Sequence, residues 1–493
     1  VAVDGHLAVV GRPGDAHDGP QSGAVDVYMR TATEASLEGM PWQWTHVSTV
    51  RPEMPEAGAR FGDAVAIDDG ILVVGAWRYG DDHGGVWVVD LTDDVLPSSI
   101  RTDLMLEAPG IHPGDYLGCD VAIDDGLIVA GAWGADLDAS EDDDVEVTTV
   151  GQAWTWTIAE IEGSFTPSTV LMSHAPQAGA RFGTAVDIEN GYVIVGAPRH
   201  NGSQGMVEFF EWYDGQWQFQ QSLTSEMPHA WARYGAAVDL VPISQGLALL
   251  VGSPGDNELG SQAGAAWLYD PIESGGSFMD GTKLTMGGGQ SWDQAGSSVV
   301  GLDITVNGDE QASRGLILLG APGWRDPNGL VQGAIMSFSG GDGESDLDWP
   351  EQQIVAFGDP HSAAGHSVAI GMAVVQEWDT DVISVWTGAP MSSNGQGRAF
   401  NLDVIANDRN GDCNEDFRFD LMEVLLLGAE VDCDGDGWHD ACQVEFEGLL
   451  YDCDANGNLD SCEMATDPSL DCNADGELDV CQLDAQWYNY DCN

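Results

Sequence analysis

The chain has 493 residues, 43% of them hydrophobic, with 82 Asp or Glu against 15 Lys or Arg and a formal charge of −67 at neutral pH. Such a surface repels nucleic acid and anionic lipid, both of which are held by neutralising phosphates with Lys and Arg, and no apolar run reaches the ~20 residues that a membrane-crossing helix needs. The length suits one large repeat domain plus a smaller unit, and the charge suits seawater, higher salt or a calcium-rich exterior, where self-repulsion is screened.

The chain is built on an internal repeat. A Val-Gly-Ala-Pro element recurs with its glycine at Gly11, Gly75, Gly131, Gly196, Gly252, Gly320 and Gly388, six intervals of about 63 residues. The opening Val1-Ala2-Val3-Asp4 matches Val65-Ala66-Ile67-Asp68, so residue 1 falls inside a strand; no signal peptide is visible, and the chain reads as cut at its start. An upstream half precedes the later glycines: Arg60-Phe61-Gly62, Tyr116-Leu117-Gly118, Arg181-Phe182-Gly183 and Arg233-Tyr234-Gly235, reduced to Ala295-Gly296 and Ala364-Gly365 in the last two copies and missing from the first.

The fourth copy shows the pattern most clearly. Ala185 to Ile188 alternates as a strand does, Glu189-Asn190-Gly191 supplies a tight turn, and Tyr192 to Val195 is a fully apolar strand. Gly196 lets the backbone pass close to a neighbour, and Pro198 ends the pairing. A Gly-rich loop, an aromatic strand (Met206 to Phe210) and a fourth strand (Trp217 to Gln221) follow. Four strands in a repeat of this length is the arithmetic of a propeller blade, whose faces are buried by its neighbours in a closed ring.

In chain order, the first copy runs through its outer strand at Trp42 to Val47, and the second starts near Phe61. The third starts at Leu117 and carries an acidic insertion, Asp136 to Val145, which reads as a solvated loop. The next three start near Phe182, Tyr234 and Ala295. The seventh, from Ala364, offers three strands ending at Gly397 to Leu402; residues upstream of Val1 are expected to supply its outer strand.

These residues resemble the FG-GAP repeat family, which builds the seven-bladed propeller of integrin α subunits and of many secreted bacterial proteins. The resemblance covers roughly residues 1–406 and implies an all-β, seven-bladed propeller. In the integrin-like versions some loops between the first two strands carry an Asp-rich calcium motif. Here the corresponding loops, Asp68-Asp69-Gly70, Asp124-Asp125-Gly126 and Glu189-Asn190-Gly191, are too short for one.

Beyond Ile405 a polar hinge, Ala406 to Gly411, opens a second kind of repeat over residues 407–493. Asp412, Asn414, Asp416, Asp420 and Glu423 take the alternating positions of an EF-hand loop. Asp432, Asp434, Asp436 and Asp440 follow, then Asp452, Asp454, Asn456, Asp460 and Glu463, then Asp471, Asn473, Asp475 and Asp479. A hard cation takes six to eight oxygens, and alternate acids on a turning loop converge on it, so Ca2+ is the expected ligand. Two loops end in Gln443 and Gln482 rather than Glu, and Phe417 replaces the turn glycine of the first. The segment resembles thrombospondin type 3 repeats, and its first loop with the following helix resembles half a dockerin.

Eight of the nine cysteines lie in this tail, which implies an oxidising compartment and a disulfide framework. Many pairings are open to eight cysteines. The sequential one, Cys413–Cys433, Cys442–Cys453, Cys462–Cys472 and Cys481–Cys492, joins the end of each loop to the start of the next and leaves none over. With few large apolar residues, the tail is expected to have little regular structure and to rely on disulfides and calcium in place of a core.

In the ring, Trp77, Trp133 and Trp324 sit in equivalent loops on one face, either as a stacking platform for sugar rings or packed on the next blade. His112, His174, His229 and His361 precede inner strands, but at offsets that do not converge on a metal, and Cys119 reads as a buried thiol. No nucleophile elbow, His-Glu-x-x-His motif or phosphate loop is present, and among 82 carboxylates a catalytic pair cannot be located. The reading is a secreted or cell-surface calcium-binding adhesion or matrix protein with a protein or polysaccharide ligand on the propeller face. The alternatives are a polysaccharide-degrading enzyme and an extracellular scaffold that assembles through the open seventh blade. Paired carboxylates with a His or Tyr in the central funnel would favour the enzyme, and a Trp-lined face would favour binding.

Overall fold

The structure, a computed structural model, describes residues 1–406 except 33–41, 94, 107, 137–148, 159–164, 244–245, 273–275, 280, 287–288, 306–312, 326–328, 341–350, 357–363, 376–379 and 390–397. Each repeat folds into an antiparallel meander. In the fourth copy Ala185–Glu189 pairs with Tyr192–Gly196 in the register Glu189↔Tyr192 to Ala185↔Gly196. The turn between them places Asn190 and Gly191 at φ 52° and 77°, the doubly left-handed geometry that matches the twist of a two-residue hairpin. Val207–Tyr213 and Gln216–Leu223 complete this four-stranded sheet.

The innermost strands run in a closed circle. Ala2–Asp4, Ala64–Asp68, Leu117–Asp124, Ala185–Glu189, Ala237–Ile243, Ser298–Thr305 and Ser367–Val375 each pack on the next, and the last packs on the first. The fold is therefore an all-β propeller, as expected; six blades are found rather than seven, and the second copy adds the seventh inner strand with a sheet of three strands, Ala64–Asp68, Ile71–Gly75 and Val86–Asp90. Ile100–Thr102, which follows the third strand of the second copy, pairs in parallel with Trp42–Pro52 of the first. Ser48 Oγ donates to the Pro97 carbonyl at 2.7 Å and Arg101 Nη1 to that of Pro52 at 3.0 Å, which draws the short strand toward the first sheet. It stays stitched to its own copy by Thr102 Oγ1, which donates to the Val88 carbonyl at 3.1 Å. The last sheet has three described strands, Ser367–Val375, Thr380–Ala389 and Arg398–Ala406.

The core lies between the sheets. Val129 and Ala153 of the third copy meet Phe182, Val193, Val195 and Phe210 of the fourth in one buried cluster, and similar clusters fill the other gaps. Two glycines set how closely the sheets approach. A Cβ built on Gly196 would lie 2.1 Å from the Gly235 carbonyl oxygen, and one on Gly131 would lie 1.9 Å from that of Gly183. The same contact recurs between Gly11 and Gly62, Gly75 and Gly118, Gly252 and Gly296, and Gly320 and Gly365.

The residue before each of these carbonyl-bearing glycines is buried, and its N–H donates to the preceding sheet: Phe182 to the Val150 carbonyl at 2.8 Å, Phe61 to Ser22 at 3.1 Å, Tyr234 to Gln204 at 3.1 Å. The two halves of the repeat motif thus meet across junctions, one half from each neighbour. At the closing junction Trp386 packs against the first copy, with ring centroids 5.5 Å from Tyr28 and 5.3 Å from Trp44. No helix among the described residues is long and apolar enough to cross a membrane.

Because the neighbour of Gly196 is backbone, a methyl group there forces two sheets apart. Gly196→Ala is expected to destabilise the ring by about 1–3 kcal/mol, the usual cost of overpacking. Gly14→Ala, where a Cβ meets nothing within 4 Å, is expected to stay within ~0.5 kcal/mol of the parent. Urea denaturation of the two variants measures the difference.

Candidate functional site

The inner strands bring a set of carboxylates to the central channel. Six of them accept a hydrogen bond from a backbone N–H of the next blade's inner strand or turn. Asp4 accepts from Gly70 at 3.1 Å, Asp68 from Asp125 at 2.9 Å, and Asp124 from Asn190 at 2.7 Å. Asp120 accepts from Val186 at 2.9 Å, Asp187 from Leu240 at 2.6 Å, and Asp239 from Gly301 at 2.8 Å. These side chains staple successive blades together. Cys119 and Ser298 do the same by donation, Sγ to the Gly183 carbonyl at 3.1 Å and Oγ to that of Gly365 at 3.0 Å. Cys119 is thus half-buried with a junction role, and burial pushes its thiol up to about 12.

Burial, and at some of them neighbouring like charge, makes several of the channel acids hold their protons. Burial raises Asp120 and Asp239 to about 7. Asp187 is raised by burial and then by the neighbouring Asp239. Glu189 ends its inner strand at the place where Asp4, Asp68 and Asp124 end theirs. Burial, followed by the charges of Asp124, Asp187 and Asp68, raises it to about 8. No group of three or more His, Cys, Asp or Glu side chains among the described residues has the geometry to hold a metal ion.

The two ends of the channel differ in charge. Asp4, Asp68, Asp124 and Glu189 stand where the inner strands finish, beside the hairpin turns. At the opposite end, just before the inner strands, stand Arg60, Tyr116, Arg181 and Arg233, all with left-handed backbones at φ 56–61°. The loops leaving the second strands emerge on that same face and carry Trp77, Arg78, Trp133 and Arg199. These side chains form a row. Arg60 and Arg78 lie 5.8 and 5.3 Å from the Trp77 ring, Trp77 meets Tyr116 edge-on at 5.4 Å, Tyr116 stacks on Trp133 at 4.4 Å, and Arg181 lies 4.0 Å over Trp133.

Of the three expected tryptophans, the structure brings Trp77 and Trp133 together through Tyr116, and Trp77 Nε1 also donates to the Asp63 carboxylate. Trp324 packs against the core between the fifth and sixth copies, away from that row. Of the histidines, His174 stacks on Phe219 at 3.9 Å, His112 is exposed, His229 is half-buried, and His361 lies outside the described residues. The calcium-ligand candidates, from Asp412 through Asp479, also lie outside them, as does most of the acidic insertion.

Two residues escaped the reading of the sequence. Trp231 and Trp292 are 69% and 50% exposed at φ 70° and 78°. They stand three residues before Tyr234 and Ala295, where Gly58, Gly114 and Gly179 stand in the second, third and fourth copies, also at positive φ. Aligning the copies on their Phe-Gly halves would have exposed the exchange of glycine for tryptophan.

Residues 44–89, from the outer strand of the first copy through the third strand of the second, match the FG-GAP repeat model. No curated protein matches the chain. Among solved structures, one from Bacteroides uniformis that carries a provisional 6-phosphogluconolactonase name is similar at a TM-score of 0.46 and 8% identity, over 82% of this chain and 98% of that one, a likeness too distant to bear on the site.

Acids raised from ordinary values of 3.8 and 4.5 to about 7 and 8 bind protons in the folded ring that the unfolded chain has already released. Their contribution to stability is therefore full below about pH 4 and is lost as pH rises through about 7 to 8. Asp187→Asn keeps an oxygen to accept from Leu240 and removes a charge facing Asp239. It is expected to stabilise the ring by roughly 1 kcal/mol at pH 8.5, after allowance for screening by channel water, and by clearly less at pH 4. Thermal unfolding at the two pH values checks both size and sign.

Proposed function

We propose that the protein is a secreted or cell-surface binding protein. Its propeller presents the aromatic and arginine-bearing face to a protein or polysaccharide ligand in adhesion or matrix assembly, and the segment 407–493 is a calcium-stabilised, disulfide-linked tether. The observation that carries this reading is the stacked row from Arg60 and Arg78 through Trp77, Tyr116 and Trp133 to Arg181. Half-exposed indoles and guanidinium planes present flat, adaptable surface with little conformational freedom left to lose on binding. The perturbed channel acids support binding over catalysis, because five of them, Asp68, Asp120, Asp124, Asp187 and Asp239, are committed to backbone N–H groups of the neighbouring blade. The FG-GAP similarity fits an extracellular setting, and the tail's acidic, cysteine-bearing loops fit one where calcium is plentiful and thiols are oxidised.

Two outcomes are expected. On arrays of saccharides and extracellular-matrix proteins with calcium present, the full chain is retained on one ligand class, and Trp133→Ala weakens that retention at least about tenfold. Absence of retention on every surface would contradict the reading, and release of cleaved saccharide would favour the polysaccharide-degrading alternative. Excess chelator is expected to open 407–493 to protease while the β-sheet circular dichroism of the ring persists. Unchanged protease resistance of that segment would count against calcium.

A further inference from the structure

We propose that Arg181, Arg199 and Arg233, with Trp231 beside them, form a subsite for an anionic saccharide: the guanidinium groups take a carboxylate or sulfate, and the exposed indole stacks on the sugar ring that bears it. The inference rests on the reading of this face as a binding platform and names its ligand.

The first observation is a set of cations without counterions. Arg12, Arg51, Arg60, Arg78, Arg101 and Lys283 are each within 4 Å of a carboxylate. Arg181, Arg199 and Arg233 form no ion pair with any described carboxylate, in a chain with 82 acids to choose from. The backbone holds them together. Arg199 N–H donates to the carbonyl of Ala180, next to Arg181, at 3.0 Å; Ser203 N–H donates to the Arg199 carbonyl at 3.1 Å; and Arg233 N–H donates to the Ser203 carbonyl at 2.9 Å. Stacking on Trp133 fixes the Arg181 plane and leaves its N–H edges free to fork onto an oxyanion. Burial and the nearby Arg199 charge hold Arg181 and Arg233 below the usual arginine range. Like charges gathered this way are destabilising until an anion arrives.

The second observation is independent. Trp231 lies two residues before Arg233, is 69% exposed, and occupies a left-handed backbone that costs a bulky residue on the order of 1–2 kcal/mol. The conformation is enforced from beneath: a Cβ on Gly255 would lie 1.8 Å from the Trp231 carbonyl oxygen, and Gly255 N–H donates to the Ala232 carbonyl at 3.0 Å. Glycine fits this position in three other copies. An indole held there against its backbone preference, facing water two residues from Arg233, matches a ligand with one apolar ring face and one acidic group. A bare phosphate or an acidic peptide would use the arginines and leave the indole idle.

The test is calorimetric titration of the full chain, with calcium, against an oligouronate, a sulfated oligogalactan, a neutral oligosaccharide of equal length and an oligoglutamate peptide. Binding of either acidic saccharide is expected, with the neutral one at least about tenfold weaker; which acidic arm binds tells carboxylate from sulfate. Arg199→Gln, at an exposed position, is expected to weaken binding about tenfold or more. Trp231→Gly is expected to weaken binding similarly while leaving thermal stability equal or higher, a split that a structural role would not produce. No binding of either acidic saccharide, equal binding of the neutral one, or binding of the peptide with no loss in Trp231→Gly would overturn the proposal. If another ligand is retained and lost in Trp133→Ala, the platform reading survives that failure.

Discussion

The contact on which the ring depends is the one between two glycines of neighbouring blades, with no room for a side chain on either. At Gly196 and Gly235, as at five other junctions, it fixes how near one sheet comes to the next. Everything else is set at that spacing. The inner strands come close enough for a carboxylate of one to reach the backbone N–H of the next, and the buried Phe or Tyr preceding the second glycine packs under the same seam. Where the ring closes, Trp386 packs on Tyr28 and Trp44.

Seven inner strands at this distance enclose a channel lined by acids that repel one another. The ring accepts that cost because each staple satisfies a backbone donor that would otherwise face the channel. It also gives the molecule a polarity. One mouth gathers strand-end carboxylates, and the other gathers five arginines, Arg60, Arg78, Arg181, Arg199 and Arg233, among Trp and Tyr. In a protein of net charge −67 that second mouth is where cationic groups converge, and it lies on the face from which the loops with the most exposed indoles emerge.

Much of the fold was legible in the sequence, because a repeat is read many times over. The turn at Asn190 and Gly191 and the close approach at Gly196 were both readable, since only certain residues tolerate those geometries. The partner of Gly196 was not, because it belongs to the following copy and no local period points to it. The crossing of Ile100–Thr102 to the first sheet was hidden for a similar reason: three residues have no period, and its anchors, Ser48 and Pro52, lie far back along the chain. The stapling acids were lost among 82 carboxylates, where only geometry tells one from another. Of the indoles, Trp77 and Trp133 were found by position, whereas Trp324 obeyed the commoner rule that large aromatics pack inward.

Hydrogen exchange of the inner-strand amides tests the junctions most directly. If the blades close on one another through glycine contacts and carboxylate staples, the N–H groups of Val186, Leu240 and Gly301, each donated to an acid of the preceding blade, exchange only with opening of the ring, alongside the second-strand amides of the core. Exchange of those three amides at the rate of exposed turn residues, while the second strands remain protected, would mean that the sheets form without the seams that join them.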